Sequence, residues 1–203
     1  MDIDTYTHHY AVFPTIVQSN FFPRCRELNG SMLMELDRLG SIIPNSLAPP
    51  FTVPHYTTID SCNDLHMRPV FEALTIFIKK ELTVFANKQS INISKKEIKI
   101  NKMWFNIYAK GECVDIHNHP NSNFTGVYFL KASKGSSPIV IKSEIVDNMI
   151  ALLVDENNEY NSRGKVITAE PGKLVVFNSN VMHNTLPQNI DESRVTISFT
   201  AIV

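Results

Sequence analysis

Residues 97–132 read EIKINKMWFNIYAKGECVDIHNHPNSNFTGVYFLKA, and this stretch decides the fold class. Its first part, residues 97–109, alternates apolar and polar side chains and is rich in the residue types that favour strands. Further strands are predicted near 113–118, 124–132, 138–143, 150–154, 165–168, 173–178 and 193–202, with turn glycines between them at Gly111, Gly135, Gly164 and Gly172. The C-terminal half is therefore predicted to be an all-β sandwich or barrel.

The preceding residues have a different pattern. Residues 10–18 (YAVFPTIVQ) predict a short edge strand, because Pro14 cannot donate a hydrogen bond to a central position. Apolar residues at helical spacing predict one helix over 23–40 and a second from a cap at Asp64 to about Lys88. Residues 41–58 hold four prolines and predict a loop. The fold class is α+β: one domain over 1–203, in which the N-terminal strand and helices (1–96) support a β core (97–203).

Composition restricts the class of protein. The chain has 203 residues, of which 43% are hydrophobic and 19% charged, as in one ordinary globular domain. The formal net charge of -1 leaves no nucleic-acid-binding footprint. Three scattered cysteines without a CxxC pair suit a reducing compartment. No apolar run is long enough for a membrane span, and the N-terminus does not read as a signal peptide, so a soluble cytoplasmic protein is expected.

Three of the seven histidines have a spacing that metal chemistry can use. His117 and His119 lie in VDIHNHP at the end of a predicted strand, where alternate residues point to one side about 7 Å apart. His183, in FNSNVMHNTLP, opens a loop between two late strands, and a barrel can bring it to the same mouth. A His-x-His pair alone is more often a surface feature. His55 and His66 are assigned no role.

Arg194 begins the segment RVTISF, whose alternation puts Arg194, Thr196 and Ser198 on one face of a strand. An arginine that points into a barrel is costly unless it meets an anion, and its planar fork suits a carboxylate. Thr196 would supply a hydroxyl to the same anion. A surface salt bridge is the alternative, but it does not account for the apolar residues that alternate with these three.

These motifs together resemble the Fe(II)- and 2-oxoglutarate-dependent oxygenases. The closest likeness is to a group of such oxygenases of unassigned substrate, found in marine bacteria and phages. The matching segments are Trp104, Asn106, Tyr108 and Gly111, then His117 to Pro120, Gly126 to Leu130, Pro171 to Phe177, His183, and Arg194 to Thr196. The likeness covers residues 97–203 well and extends more weakly to FPT at 13–15 and to the YTTID region near 56–60.

The resemblance implies a double-stranded β-helix (a jelly-roll, cupin-like core) and an enzyme that uses Fe(II), 2-oxoglutarate and dioxygen, with ascorbate as a supporting reductant. It implies that 2-oxoglutarate is decarboxylated to succinate while a second substrate is hydroxylated, inside a bacterial or phage-infected cell. By position, His117, His119 and His183 would be the iron ligands, and Arg194 with Thr196 would bind the distal carboxylate. The candidates for further cosubstrate contacts are Tyr108, then Asn106, then Tyr128.

One residue departs from the family pattern. The usual iron site has two histidines and one carboxylate, whereas position 119 holds a histidine. A third neutral imidazole leaves the site one charge unit more positive. Asp115, two residues before His117, is the alternative ligand, or it could orient an imidazole from outside the ligand set.

Two other functions remain open on the sequence. A cupin-type three-His dioxygenase would need no 2-oxoglutarate, and the His-x-His pair favours it slightly. A non-catalytic jelly-roll domain with a binding or structural role is the other, because fold alone does not fix function. The loops at 41–58, 133–137 and 155–164 are expected to frame the entrance, the prime substrate has no recognisable motif, and the edge strand near 10–18 suggests a homodimer.

Overall fold

The computed structural model describes residues 7–46, 55–93, 97–143, 153–158 and 160–203. Two helices lie in the N-terminal half, α1 (Cys25–Gly40) and α2 (Glu72–Lys88). The strands are β1 (Val17–Phe21), β2 (Tyr56–Thr57), β3 (Lys99–Tyr108), β4 (Val114–His117), β5 (Phe124–Lys131), β6 (Ile139–Lys142), β7 (Gly164–Ile167), β8 (Lys173–Asn178), β9 (His183–Thr185) and β10 (Arg194–Ile202).

The strands form two antiparallel sheets that face each other. The larger sheet has the order β1-β8-β5-β10-β3-β2 and the smaller has the order β4-β9-β6-β7. From β3 onwards the chain crosses repeatedly between the sheets, and β6 and β7 are the one consecutive pair that stays in the same sheet. This winding is the double-stranded β-helix, or jelly-roll, so the predicted fold class is confirmed.

The larger sheet is buried on both faces, and the side chains of β5 and β8 alternate between two apolar clusters. One face packs under the helices: β10 contributes Val195, Ile197 and Phe199 to the same cluster as Met32 of α1 and Leu82 of α2. The other face looks toward the smaller sheet, where an apolar cluster forms around Phe129, Ile139, Ile141, Val175, Phe177 and Val181. The helices therefore support one sheet, as predicted, and leave the space between the sheets for the site.

Three N-terminal predictions differ in detail. The edge strand begins at Val17, because Phe13 has a positive φ of 58° before Pro14 and interrupts the extended run. The second helix begins at Glu72, because Pro69 restricts Arg68 to an extended conformation, and Asp64 makes no side-chain cap there. The strand β2 within the predicted loop was not foreseen.

Two features of the C-terminal half also differ. The three-residue strand β9 was read only as a loop opening, because three residues are too few for a periodic pattern. Of the strand predicted at 150–154, residues 150–152 lie outside the described part, and residues 153–154 are not in a strand. Within the described ranges, no helix is long and apolar enough to cross a membrane.

Candidate metal centre and anion pocket

The three predicted histidines meet at one end of the smaller sheet. β4 pairs with β9 so that His117 stands directly opposite His183, while His119 lies just beyond β4. The ring centroids are 4.2 Å apart for His117 and His183, 5.0 Å for His117 and His119, and 5.2 Å for His119 and His183. One ring nitrogen of each lies within 4.8 Å of the other two, which is the spacing of ligands around a single ion.

Two of the imidazoles are oriented by the backbone. The Nδ1 atom of His117 lies 2.8 Å from the carbonyl oxygen of Asp115, and the Nδ1 atom of His183 lies 3.0 Å from that of Val181. A carbonyl only accepts, so each Nδ1 carries the proton and each Nε2 keeps a free lone pair. Such a partner on the other ring nitrogen is the usual arrangement for metal-binding histidines.

The site also keeps these imidazoles neutral. Burial, with a smaller contribution from the neighbouring imidazoles, lowers the pKa of His119 to about 3, and burial with the imidazole of His117 lowers that of His183 to about 4. Burial lowers the pKa of His117 as well. A metal binds the neutral form, so protons do not compete for the site near neutral pH.

Asp115 is not brought to the three imidazoles. The pairing of β4 with β9 shifts between Val114 and His117. Val114 pairs with Thr185 and His117 with His183, so β4 has one more residue than β9 between the two pairs. Such a bulge breaks the alternation on which the prediction for Asp115 rested. Val114 and His117 line the cavity, whereas Asp115 is exposed: its backbone carbonyl contacts the His117 ring, and its carboxylate acts on His117 only through its charge.

Arg194 is fully buried in the wall of the same cavity. One guanidinium nitrogen, Nη1, donates to the carbonyl of Ser137, but Nε and Nη2 have no hydrogen-bond partner among the described residues. Burial lowers the pKa of Arg194, yet a guanidinium stays charged in proteins. A buried cation with two unused donors is stable only with an anion, and a carboxylate matches this fork.

The residues predicted to assist Arg194 surround it. Its guanidinium carbon lies 4.1 Å from the ring centroid of Tyr108, whose hydroxyl keeps its proton because burial raises its pKa. Thr196 and Ser198 follow Arg194 on the inner face of β10, as the alternation predicts. Asn106 donates to Ser198 Oγ at 3.1 Å and to Thr196 Oγ1 at 3.4 Å. All five side chains line one cavity of about 330 Å³ with the three histidines.

Tyr128 lies elsewhere. Its neighbours Val127 and Phe129 line the cavity, so the alternation of β5 points Tyr128 to the opposite face. There it is fully buried beside Phe22, and its hydroxyl donates to Asn29 of α1 at 2.6 Å. The structure does not bring Tyr128 into the site.

His55 is a cavity residue that sequence reasoning missed. It was assigned no role because it lies in a proline-rich segment, yet its imidazole is 7% exposed and lines the cavity. The strand β2 that follows it pairs with β3, with Tyr56 opposite Ile107 and Thr57 opposite Asn106. The weak likeness of the YTTID region to the oxygenase group was the signal that could have found it.

The fold and the site together define a metal-binding double-stranded β-helix protein with an anion pocket beside the metal. The donor set fits a divalent transition metal, because three neutral imidazoles converge with free lone pairs. The unpartnered nitrogens of Arg194 fit a carboxylate in the same cavity.

Residues 102–200 match the sequence model of a family described as "Putative 2OG-Fe(II) oxygenase". The domain formed by these residues belongs to that family of Fe(II)- and 2-oxoglutarate-dependent oxygenases. It is therefore an oxygenase domain, and Fe(II) and 2-oxoglutarate are the cofactors of its class. No curated protein matches the chain.

Solved structures share the fold. A prolyl-4-hydroxylase from Pseudomonas putida aligns with a TM-score of 0.60 and 11% identity, over 93% of this chain and 94% of that chain. HygX from Streptomyces hygroscopicus, with nickel, 2-oxoglutarate and hygromycin B bound, aligns with a TM-score of 0.61 and 14% identity, over 93% and 83%. A viral collagen prolyl hydroxylase from Paramecium Bursaria Chlorella virus-1, in complex with 2-oxoglutarate, gives 0.55 and 13%, over 92% and 96%. At these identities the likeness shows the fold.

Proposed function

We propose that this chain is an Fe(II)-dependent dioxygenase that decarboxylates 2-oxoglutarate to succinate and couples this oxidation to hydroxylation of a second substrate. The observation that carries the proposal is the pair of unpartnered guanidinium nitrogens of Arg194, Nε and Nη2, in the same cavity as three convergent imidazoles. A metal site alone would fit many cupin-like proteins. A metal site beside a buried carboxylate receptor fits a keto acid with a second carboxylate.

His117 and His183 would hold the ferrous ion through Nε2, because the backbone occupies Nδ1 in both, and His119 would be the third ligand. When bound, the ion supplies the activation of dioxygen that links oxidation of the keto acid to oxidation of the second substrate. The protein keeps the three ligands neutral and holds His117 and His183 opposite each other across β4 and β9. These features prepare the site before the metal arrives.

Arg194 would bind the distal carboxylate through Nε and Nη2, and Thr196 and Tyr108 would add hydroxyl groups to the same end. Asn106 holds the Thr196 hydroxyl from the other side, at 3.4 Å. Fixing the far end of the keto acid also fixes its reacting end, which lowers the entropy lost in the reaction. The apolar cluster around Phe129 and Phe177 closes the space between the sheets against water.

The third histidine strengthens the case for a dianionic cosubstrate. Three neutral ligands leave the full charge of a divalent ion in the cavity, and Arg194 adds one positive charge. No aspartate or glutamate lines the cavity among the described residues. Two carboxylates would offset most of this charge, so 2-oxoglutarate is a better match to the pocket than a neutral ligand.

Succinate formation tests the proposal. Purified protein is incubated with Fe(II), ascorbate and 2-oxoglutarate, and succinate is measured for the wild type, Arg194→Met and His117→Ala. The exposed Arg26→Ala is the matched control. We expect succinate from the wild type and the control, and none from His117→Ala. Arg194→Met should need about tenfold to hundredfold more 2-oxoglutarate, because it loses charge-assisted hydrogen bonds.

Two results would refute the proposal and point to the other functions. Iron binding at the three histidines without any affinity for 2-oxoglutarate would indicate a three-His dioxygenase that does not use the keto acid. Failure to bind any divalent metal would indicate a non-catalytic jelly-roll domain.

A further inference from the structure

His55 enters the cavity from outside the stretch that matches the oxygenase family. Asn45 fixes the backbone at His55 and just after it: Asn45 Nδ2 donates to the carbonyl of His55 at 3.0 Å, and Asn45 Oδ1 accepts from the amide of Thr57 at 2.9 Å. The amide of Ser46 also donates to the carbonyl of Thr57 at 2.9 Å. The N-terminal half therefore holds His55 in a defined place in the cavity wall.

The imidazole of His55 contacts two residues of the anion pocket. It stacks on the ring of Tyr108 with centroids 4.8 Å apart and planes 9° from parallel. The side chain of Asn106 also acts on it, and raises the pKa of His55 against the larger lowering by burial. Because Asn106 Nδ2 already donates to Thr196 and Ser198, its Oδ1 is the atom left to accept from the imidazole.

We propose that His55 is a positioning residue for 2-oxoglutarate. It holds the ring of Tyr108 and the amide of Asn106 in place, and both of these β3 side chains border the Arg194 pocket. This inference rests on the proposed function. Stacking fixes the plane of the Tyr108 ring, and so the direction in which its hydroxyl points. A hydrogen bond from the imidazole to Asn106 Oδ1 would fix which end of the amide faces the hydroxyls of Thr196 and Ser198.

The metal ligands are oriented by contacts that do not involve His55. His117 and His183 are oriented by backbone carbonyls of residues 115 and 181, and His119 contacts Trp104 rather than His55. Loss of the His55 side chain should therefore weaken binding of the cosubstrate and leave binding of the metal unchanged. A residue with a merely structural role would weaken both.

The single tryptophan of the chain provides a direct readout. Trp104 lines the cavity, and its ring centroid is 5.6 Å from that of His119. Its fluorescence is followed while metal-free protein is titrated first with Ni(II), which is redox-inert here, and then with 2-oxoglutarate. Both dissociation constants are measured for the wild type, His55→Ala, His55→Phe and Arg194→Met. His66→Ala, a partly buried histidine outside the cavity, is the matched control.

We expect His55→Ala to raise the Kd for 2-oxoglutarate at least about tenfold, since it removes an aromatic stack and a hydrogen bond. His55→Phe keeps the stack and loses the bond, so its Kd should rise about fivefold. The Kd for Ni(II) should stay within about twofold of the wild type in both, and His66→Ala should match the wild type in both titrations. If His55→Ala does not fold, His55→Phe carries the test.

A Kd for 2-oxoglutarate within twofold of the wild type in both His55 variants would overturn the inference, and so would a parallel weakening of Ni(II) binding. If Arg194→Met loses 2-oxoglutarate while the His55 variants keep it, only the role of His55 is wrong. If the nickel-loaded wild type does not bind 2-oxoglutarate, the proposed function itself fails.

Discussion

Acidification of the metal-free protein should destabilise it through its buried histidines. Burial is the main cause that lowers the pKa of His119 to about 3, and that of His55 and His183 to about 4. The ordinary pKa of histidine, about 6.5, holds in the unfolded chain. Above that pH both states are neutral. As the pH falls below about 6.5, these histidines bind protons in the unfolded chain but not in the folded chain, so stability is lost between about pH 6.5 and pH 4.

The size of the effect follows from the same pKa values. A pH of 5 is about 1.5 units below the pKa of a histidine in the unfolded chain. Each of the three histidines therefore lowers the free energy of unfolding by about 2 kcal/mol at this pH. Three such groups give about 6 kcal/mol in sum, which is comparable to the whole free energy of unfolding of an ordinary domain. The lowered pKa of His117 acts in the same direction. The metal-free protein should therefore be close to unfolding at pH 5.

Urea unfolding at pH 7 and pH 5, in the presence of a chelator, measures this loss. His119→Phe removes one of the three groups, so its loss of stability between the two pH values should be smaller than that of the wild type by about 2 kcal/mol. The exposed His9→Ala is the control and should behave as the wild type. An unfolding free energy that does not change between pH 7 and pH 5, or an equal loss in the wild type and His119→Phe, would show that burial does not lower the pKa of these histidines.

Three further substitutions test the placement of single residues. His119→Ala removes one of the three converging ring nitrogens and should weaken binding of Ni(II) by roughly tenfold or more at neutral pH, because imidazole is a preferred donor for this ion; an affinity within twofold of the wild type in calorimetry would contradict the assignment of His119 as a ligand. Asp115→Asn should leave that affinity within about twofold, since its carboxylate is exposed and outside the ligand set; a loss of tenfold or more would restore Asp115 as a ligand. Tyr128→Phe should lower the unfolding free energy by about 1 kcal/mol through loss of the bond to Asn29 and leave the Kd for 2-oxoglutarate unchanged; a raised Kd would place Tyr128 at the site.

Where the sequence pattern is regular, it predicted the fold and the placement of side chains on the strands. The alternation in RVTISF placed Arg194, Thr196 and Ser198 on the inner face of β10, with Val195, Ile197 and Phe199 against the helices. The ligand candidates His117 and His183 do converge, because the antiparallel pairing of β4 and β9 sets them opposite each other.

The predictions that differed depended on irregular backbone or on distant contacts. A bulge in β4 places Asp115 on the outside, and the local sequence pattern does not predict a bulge. Tyr128 was read by its motif, although the alternation of β5 points it away from the cavity that Phe129 lines. His55 reaches the site only through the pairing of β2 with β3 and through Asn45, contacts between segments that one sequence does not reveal. The homodimer stays a prediction.

Calorimetric titration of the nickel-loaded protein with 2-oxoglutarate distinguishes a three-histidine metal centre with 2-oxoglutarate held by Arg194 from the other functions. We expect one equivalent of 2-oxoglutarate for each chain, binding that requires the metal, and an affinity about tenfold to hundredfold lower in Arg194→Met. One equivalent of nickel without any binding of 2-oxoglutarate, or binding that Arg194→Met leaves unchanged, would contradict this assignment.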